Sequence, residues 1–162
     1  MDINIRKISE TGLYPYEVFK ILMDYELTRA QRYPNPIALL MISLNLEIAG
    51  PDTLTKVIEL LAGILNTGLR VSDIPTYHEG TFLVLLPMTD GVGGKAAAQR
   101  LIDRMKGTGD LVENIKFTIH IGISSHPGGK ELTAETLLSH AEHALEEARK
   151  LGPTACALFR AE

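Results

Sequence analysis

The stretch Thr76-Tyr77-His78-Glu79-Gly80-Thr81-Phe82, running on into Leu83-Val84-Leu85-Leu86-Pro87, restricts the fold more than any other part of the chain. Two runs rich in strand-forming residues are separated only by Glu79-Gly80, a pair suited to a tight turn. Residues 73–78 and 81–86 are therefore expected to pair as an antiparallel hairpin. That hairpin interrupts the strand–helix alternation read elsewhere, which argues against an ordinary doubly wound parallel sheet.

The remaining sequence supplies the layers around it. Residues 16–33 carry Val18, Phe19, Leu22, Met23, Leu27 and Ala30 at helical spacing, and Pro34 and Pro36 end that helix. Residues 37–46 read as a buried strand. Pro51-Asp52-Thr53 opens a second helix with Asp52 or Thr53 as its N-cap, and Val57, Leu60, Leu61, Ile64 and Leu65 form its apolar face. Gly68 is its stop. After the hairpin, Gly91 to Gly94 read as a connection to a third helix over 95–105. A strand over 115–123 follows, in which Phe117-Thr118-Ile119-His120-Ile121-Gly122-Ile123 alternates as a half-buried strand does. A helix over 133–151 turns Leu137, Leu138, Ala141, Ala144, Leu145 and Ala148 inward, and residues 153–159 form a last strand. The order α-β-α-β-β-α-β-α-β predicts one domain over 11–162, behind a lead of 1–10, in the α+β class. Its centre is a mostly antiparallel five-stranded sheet flanked by helices, with a ferredoxin-like core.

Bulk properties narrow the partners. A hydrophobic fraction of 45% and 22% charged residues suit an ordinary globular domain, and a net charge of -4 argues against a dedicated nucleic-acid binder. The single Cys156 rules out an internal disulfide framework, and its apolar neighbours make a buried, inert thiol the expectation. The N-terminal residues lack the charged-then-apolar pattern of a secretory leader. The apolar stretch 37–46 is interrupted by Ser43 and Asn45 and is too short to cross a bilayer. A cytoplasmic location and no membrane partner are expected.

A series of short matches then points to a family. It comprises Thr11-Gly12-Leu13, Glu26-Leu27-Thr28-Arg29-Ala30, Pro36-Ile37-Ala38-Leu39-Leu40-Met41-Ile42 and Leu69-Arg70-Val71-Ser72-Asp73. It continues with Phe117-Thr118-Ile119, Ile121-Gly122-Ile123, and Ala141, Ala144-Leu145, Ala148 and Gly152. In this order, over nearly the whole chain, they resemble the GGDEF domains of diguanylate cyclases. The resemblance implies the palm-like fold that nucleotidyl cyclases share with polymerases.

It also locates the chemistry, and there the sequence departs from the family. Cyclising a nucleoside triphosphate takes divalent cations, held by carboxylates, that activate the attacking hydroxyl and neutralise the phosphates. Ser43 stands where the family keeps a carboxylate on the first strand, and Asn45 occupies the second acidic position. The signature loop reads His78, Glu79, Gly80, Thr81 and Phe82, with Gly80 and Thr81 in place of the acidic pair before the Phe. The loop is shortened, and its one carboxylate, Glu79, is off register. The segment 46–54 is shortened too, without the His-Phe-Lys and Asn-Asp elements that help the family bind phosphate and guanine. Arg149 takes the place of a phosphate-binding Lys, and Pro153 replaces the Arg that follows. The resemblance therefore implies a degenerate domain with no catalytic residues, no metal and no cofactor.

One candidate ligand site survives. Arg70-Val71-Ser72-Asp73 matches the Arg-x-x-Asp pattern at which many family members bind the product, cyclic di-GMP, as an inhibitor. A guanidinium pairs bidentately with phosphate or with the guanine edge, and a carboxylate accepts from base N–H groups. Arg100 and Arg104, one turn apart on the third helix, would add cationic contacts if their face adjoins Arg70. The structural alternative makes Asp73 the start of a strand and Arg70 a solvated residue at a helix end.

Other motifs favour plain readings. Gly91-Val92-Gly93-Gly94-Lys95 lacks the spacing of a phosphate loop, and Ala96 stands where a Mg²⁺-binding hydroxyl is needed. His140, His143 and Glu147 share a helix face without a further ligand nearby, as a solvated polar face would. The role of His120 stays open. The resemblance implies a non-catalytic regulatory module in bacterial signalling, acting through a protein partner, with cyclic di-GMP as candidate ligand and a homodimer as candidate assembly. Two alternatives remain: a residual nucleotide-binding enzyme with weak cyclase-like activity using Glu79 and Asp52, and a ligand-free interaction domain.

Overall fold

Strand β1 (Ile37–Leu46) is apolar on both faces, so it belongs where helices can cover both, and it lies at the centre of the sheet. The computed structural model describes residues 12–46, 51–107 and 117–160; the lead 1–10, Thr11 and the expected strand start at Ile115 lie outside the described residues. Around β1 the chain runs α1 (Tyr16–Arg32), α2 (Pro51–Gly68), β2 (Ile74–His78), β3 (Thr81–Pro87), α3 (Gly91–Gly107), β4 (Phe117–His126), α4 (Ala134–Arg149) and β5 (Ala155–Leu158). The sheet order is β2-β3-β1-β4-β5. β1 pairs antiparallel with β3 and β4, β2 antiparallel with β3, and β5 parallel with β4. This is the palm-like α+β fold, a ferredoxin-like four-strand core extended by β5.

Strand alternation sorts the side chains into two cores. Ala38, Leu40 and Ile42 of β1 join Phe82, Val84 and Ile121 beneath Val57, Leu61 and Leu65 of α2 and Ala98 and Leu101 of α3. Ile37 and Leu39 face the other way, into Phe19, Met23 and Leu27 of α1 and Leu137 and Ala141 of α4. By the same parity Ser43 and Asn45 lie on the α1/α4 side, towards the C-terminal end of β1, where the strand becomes progressively exposed.

The hairpin is as tight as the sequence suggests. Glu79 (φ 48°) and Gly80 (φ 83°) both have positive φ, the combination of a type I′ turn, whose twist matches that of the flanking strands. The third helix starts earlier than expected, because Gly91 to Gly94 are helical rather than a connection. Asp90 caps it, its Oδ1 accepting from the Gly93 N–H at 2.8 Å. Glycine lets the helix pack closely there: a Cβ on Gly94 would stand 3.0 Å from Ile123 Cγ2 and 3.2 Å from Ala38 Cβ. At α2, Pro51 is the first helical residue, so Asp52 and Thr53 stand inside the first turn rather than at its cap. Helix α4 starts behind Thr133, whose hydroxyl accepts from the Thr136 N–H at 3.1 Å.

The backbones of α4 and β4 approach closely at Gly122. A Cβ on Gly122 would lie 2.2 Å from the Ala141 carbonyl oxygen and 2.3 Å from the Leu145 nitrogen. Two residues further along β4, Ser124 donates from Oγ to the Leu137 carbonyl at 2.6 Å, fixing the same helix. Among the described residues no helix is long and apolar enough to cross a membrane.

Candidate functional site

Two places follow from the fold. The first is the rim of the sheet on the α1/α4 side. Ser43 sits in a cross-strand row with Thr81 of β3 on one side and His120 of β4 on the other, and Ala155 lies beyond His120. Asn45 is opposite Thr118. Arg149, in the last turn of α4, reaches over this row and donates from Nη2 to Ser43 Oγ at 3.1 Å, while its Nη1 pairs with the Glu146 carboxylate. His120 bonds through Nε2 to the Gly152 carbonyl at 2.7 Å; a carbonyl only accepts, so Nε2 carries the proton. The position left open in the sequence thus ties β4 to the turn before β5.

The signature loop stands at one end of this row, His78 and Thr81 forming its closing pair. The His78 ring stacks on Tyr16 of α1 with centroids 3.6 Å apart, and Lys20 Nζ lies 5.1 Å from the same tyrosine ring. Phe82 is fully buried against Tyr77. The Glu79 side chain projects into solvent, 83% exposed, with only the His78 imidazole beside it at 3.7 Å. Among the described residues, no three His, Cys, Asp or Glu side chains come together in a way that would hold a metal ion.

The second place is a cavity of about 410 Å³ between the α2–β2 turn, the β3–α3 loop and α3. Arg70, Asp73 and Arg100 all line it, so three of the four residues singled out from the sequence meet there. Arg104 does not: one turn further along α3, its Nη1 donates to Thr67 Oγ1 at 3.4 Å, outside the cavity wall. The Asp73 side chain is buried, only 2% exposed. One of its oxygens accepts from the Arg70 N–H at 2.8 Å and the other from Arg70 Nη2 at 3.2 Å. The Asp73 N–H in turn donates to the Arg70 carbonyl at 3.0 Å, closing the turn. Arg70 Nη2 also donates to the Pro87 carbonyl and to Thr89 Oγ1, joining the turn to the β3–α3 loop. The Arg70 side chain is nonetheless 53% exposed, and the N–H groups of Nε and Nη1 are left to an incoming ligand.

Sequence reasoning missed the loop that forms the far wall. Met88 is more than half exposed and has a φ of 56°, a left-handed conformation that leaves no mark in the sequence of a non-glycine residue. Thr89 and Asp90 follow it into the wall. Two guanidinium groups can take phosphate, the Asp90 carboxylate beside them can accept N–H groups, and Met88 and Pro36 add apolar surface, while the Thr89 hydroxyl is already engaged by Arg70 and the Pro87 carbonyl.

The other candidates resolve into structure. Cys156 is half-buried rather than buried, its Sγ 3.8 Å from Gln99 Oε1. Burial pushes its thiol pKa up; Lys95 lowers it and Asp103 raises it, both less strongly. His140 and His143 are not a free polar face: the His140 ring stacks on Phe159 at 3.8 Å, and His143 meets the same ring edge-on at 5.5 Å.

Comparison with known proteins gives the family. The family described as "Diguanylate cyclase, GGDEF domain" matches residues 9–154. Among curated proteins none matches the chain. Among solved structures, the active GGEEF domain of a diguanylate cyclase from Vibrio cholerae superimposes with a TM-score of 0.74 at 19% identity, covering 88% of this chain and 96% of that one. The diguanylate cyclase SiaD from Pseudomonas aeruginosa, solved in complex with its activator SiaC, gives 0.74 at 24% identity, over 91% of this chain and 59% of that one. The GGDEF domain of DgcB from Caulobacter crescentus, in complex with cyclic di-GMP, gives 0.74 at 14% identity over 92% of each chain. With the family matched along almost its whole length and the palm-like fold in place, this chain belongs to the GGDEF domain family.

Proposed function

We propose that this GGDEF domain has no cyclase activity and serves as a binding and regulatory module in cyclic di-GMP signalling. The observation that carries the reading is the row at Ser43. Where family resemblance places carboxylates for two divalent cations, the side chains are Ser43, Asn45 and Thr81, and a guanidinium stands over Ser43 at 3.1 Å. A cation at that position repels a metal ion instead of holding it, and a two-residue type I′ turn with an outward Glu79 offers no substitute ligand.

The ligand is read at the other place. The cavity between Arg70 and Arg100 sets two guanidinium groups beside the Asp73 and Asp90 carboxylates, with apolar walls, a combination suited to the phosphates and base N–H groups of a cyclic dinucleotide. Asp73 holds Arg70 and the turn in place beneath it. Output passes to a protein partner, a mode in keeping with the SiaD–SiaC complex among the structural relatives.

Two measurements test the proposal. Incubation with GTP and either Mg²⁺ or Mn²⁺ is expected to yield no cyclic di-GMP; turnover would refute the inactive reading. Calorimetric titration with cyclic di-GMP is expected to give saturable binding that is independent of divalent cations and lost in Arg100→Ala. No binding by the folded protein would reject the receptor reading and leave a ligand-free interaction domain.

A further inference from the structure

Three of the side chains around the Arg70–Arg100 cavity carry hydrogen-bond acceptors: Asp73, Thr89 and Asp90. Two of them are already engaged. One Asp73 oxygen accepts from the Arg70 N–H and the other from its guanidinium, and the side chain is 2% exposed. Thr89 Oγ1 accepts from Arg70 and donates to the Pro87 carbonyl. Asp90 differs. It is exposed, its Oδ1 accepts from the Gly93 N–H at 2.8 Å, and its Oδ2 accepts from no described residue. An ionised carboxylate has about four lone-pair sites, so Asp90 can cap α3 and still accept from a ligand.

The surroundings of Asp90 decide what it can accept from. Gly93, Ala96, Ala97 and Arg100 follow at helical steps along the side of α3 that lines the cavity. The wall that α3 builds between Asp90 and Arg100 therefore carries nothing larger than a methyl group. Ten residues of helix separate the two by about 15 Å, room for a planar base along this wall with a phosphate at the Arg100 end. Arg70 reaches the Asp90 end: its Nη2 donates to Thr89, the preceding residue, and its Nε and Nη1 are left as donors. A donor and an acceptor thus stand close together. Guanine presents O6 as an acceptor next to its N1–H and 2-amino donors, whereas adenine presents an amino donor next to a ring-nitrogen acceptor. Arg70 with Asp90 matches the guanine order and sets like groups against adenine.

We propose that Asp90 determines which base the cavity accepts, its carboxylate taking the N1–H and 2-amino hydrogens of one guanine of a cyclic dinucleotide while Arg70 donates to O6. The assignment rests on the reading of this cavity as a cyclic-dinucleotide site. It moves base recognition away from Asp73, whose oxygens hold Arg70 and the turn.

Calorimetric titration of the full chain and of Asp90→Asn with cyclic di-GMP and with cyclic di-AMP tests this. Asparagine caps a helix about as well as aspartate, so its Oδ1 keeps the Gly93 N–H while an amide donor replaces Oδ2. Circular dichroism verifies the fold of the variant. The unmodified protein is expected to prefer cyclic di-GMP by at least about tenfold. Asp90→Asn is expected to lose about 10- to 100-fold in affinity for cyclic di-GMP and none for cyclic di-AMP. No preference in the unmodified protein overturns the role of Asp90. So does a variant whose two affinities are unchanged or fall equally, and Arg100→Ala abolishing binding would then leave the receptor reading standing. A folded protein that binds neither nucleotide overturns both.

Discussion

Substituting Gly122 by alanine tests how closely the sheet and α4 are joined. The added methyl carbon would stand 2.2 Å from the Ala141 carbonyl oxygen, 2.3 Å from the Leu145 nitrogen and 2.7 Å from Leu145 Cα. All three are backbone atoms, so no side chain can swing aside; the helix itself must lift by about 1 Å to regain ordinary contact. Leu137, Ala141, Ala144, Leu145 and Ala148 are the residues α4 buries, and each would lose part of its contact with the sheet. Overpacking a well-filled core costs about 1–3 kcal/mol, and a clash against helix backbone belongs at the upper end, about 3 kcal/mol. With a urea dependence of about 2 kcal/mol/M, the unfolding midpoint should fall by roughly 1.5 M. Gly63 provides the control. It lies within α2 with nothing within 4 Å of a built Cβ, so Gly63→Ala should raise stability by about 0.5–1 kcal/mol. A midpoint shift below about 0.3 M for Gly122→Ala would refute the close approach of α4 to β4.

Three further outcomes are expected. Asp73→Ala should destabilise by about 2–3 kcal/mol, because it leaves the Arg70 N–H and guanidinium without their buried acceptor, while exposed Arg100→Ala should change stability by less than about 0.5 kcal/mol; thermal unfolding compares the two, and equal effects would contradict a structural role for Asp73. Glu79→Asn should stabilise by about 0.5–1 kcal/mol, since asparagine tolerates the left-handed conformation that glutamate holds at φ 48°; a lower melting temperature would count against the type I′ turn. Cys156 should alkylate more slowly at pH 8 than in the urea-unfolded chain, because a raised pKa reduces its thiolate fraction, with the rate climbing as pH rises; equal rates in the two states would show an accessible, unshifted thiol.

What the sequence disclosed depended on how local the determining physics is. The hairpin was readable because Glu79-Gly80 lies between two strand-forming runs, and β1 because its apolar run has strand length. The start of α3 was hidden, because glycines punctuate a sequence, whereas here they open a helix in which Gly94 packs against Ile123 and Ala38. At the candidate ligand site, Arg70 and Asp73 were visible as a spaced pair, whereas their meeting with Arg100 depends on how α3 crosses the sheet. Periodicity placed Arg104 on the same face as Arg100, yet one helical turn carries it to Thr67. The left-handed Met88 and the stacking of His140 on Phe159 arise from contacts between distant segments, which no spacing rule encodes.

The arginine over Ser43 makes the proposed loss of chemistry harder to undo than to incur. Replacing Ser43 by aspartate would restore a carboxylate to β1, but the new group would find a guanidinium already at hydrogen-bond distance. It would form an ion pair before it met any metal, giving a somewhat steadier rim and no turnover. Bringing back a metal centre would require Arg149 to change as well, along with a turn long enough to bring a second carboxylate inward. On the proposed reading no single step along that route confers activity, and the side chain that stands over Ser43 would itself bar the way back.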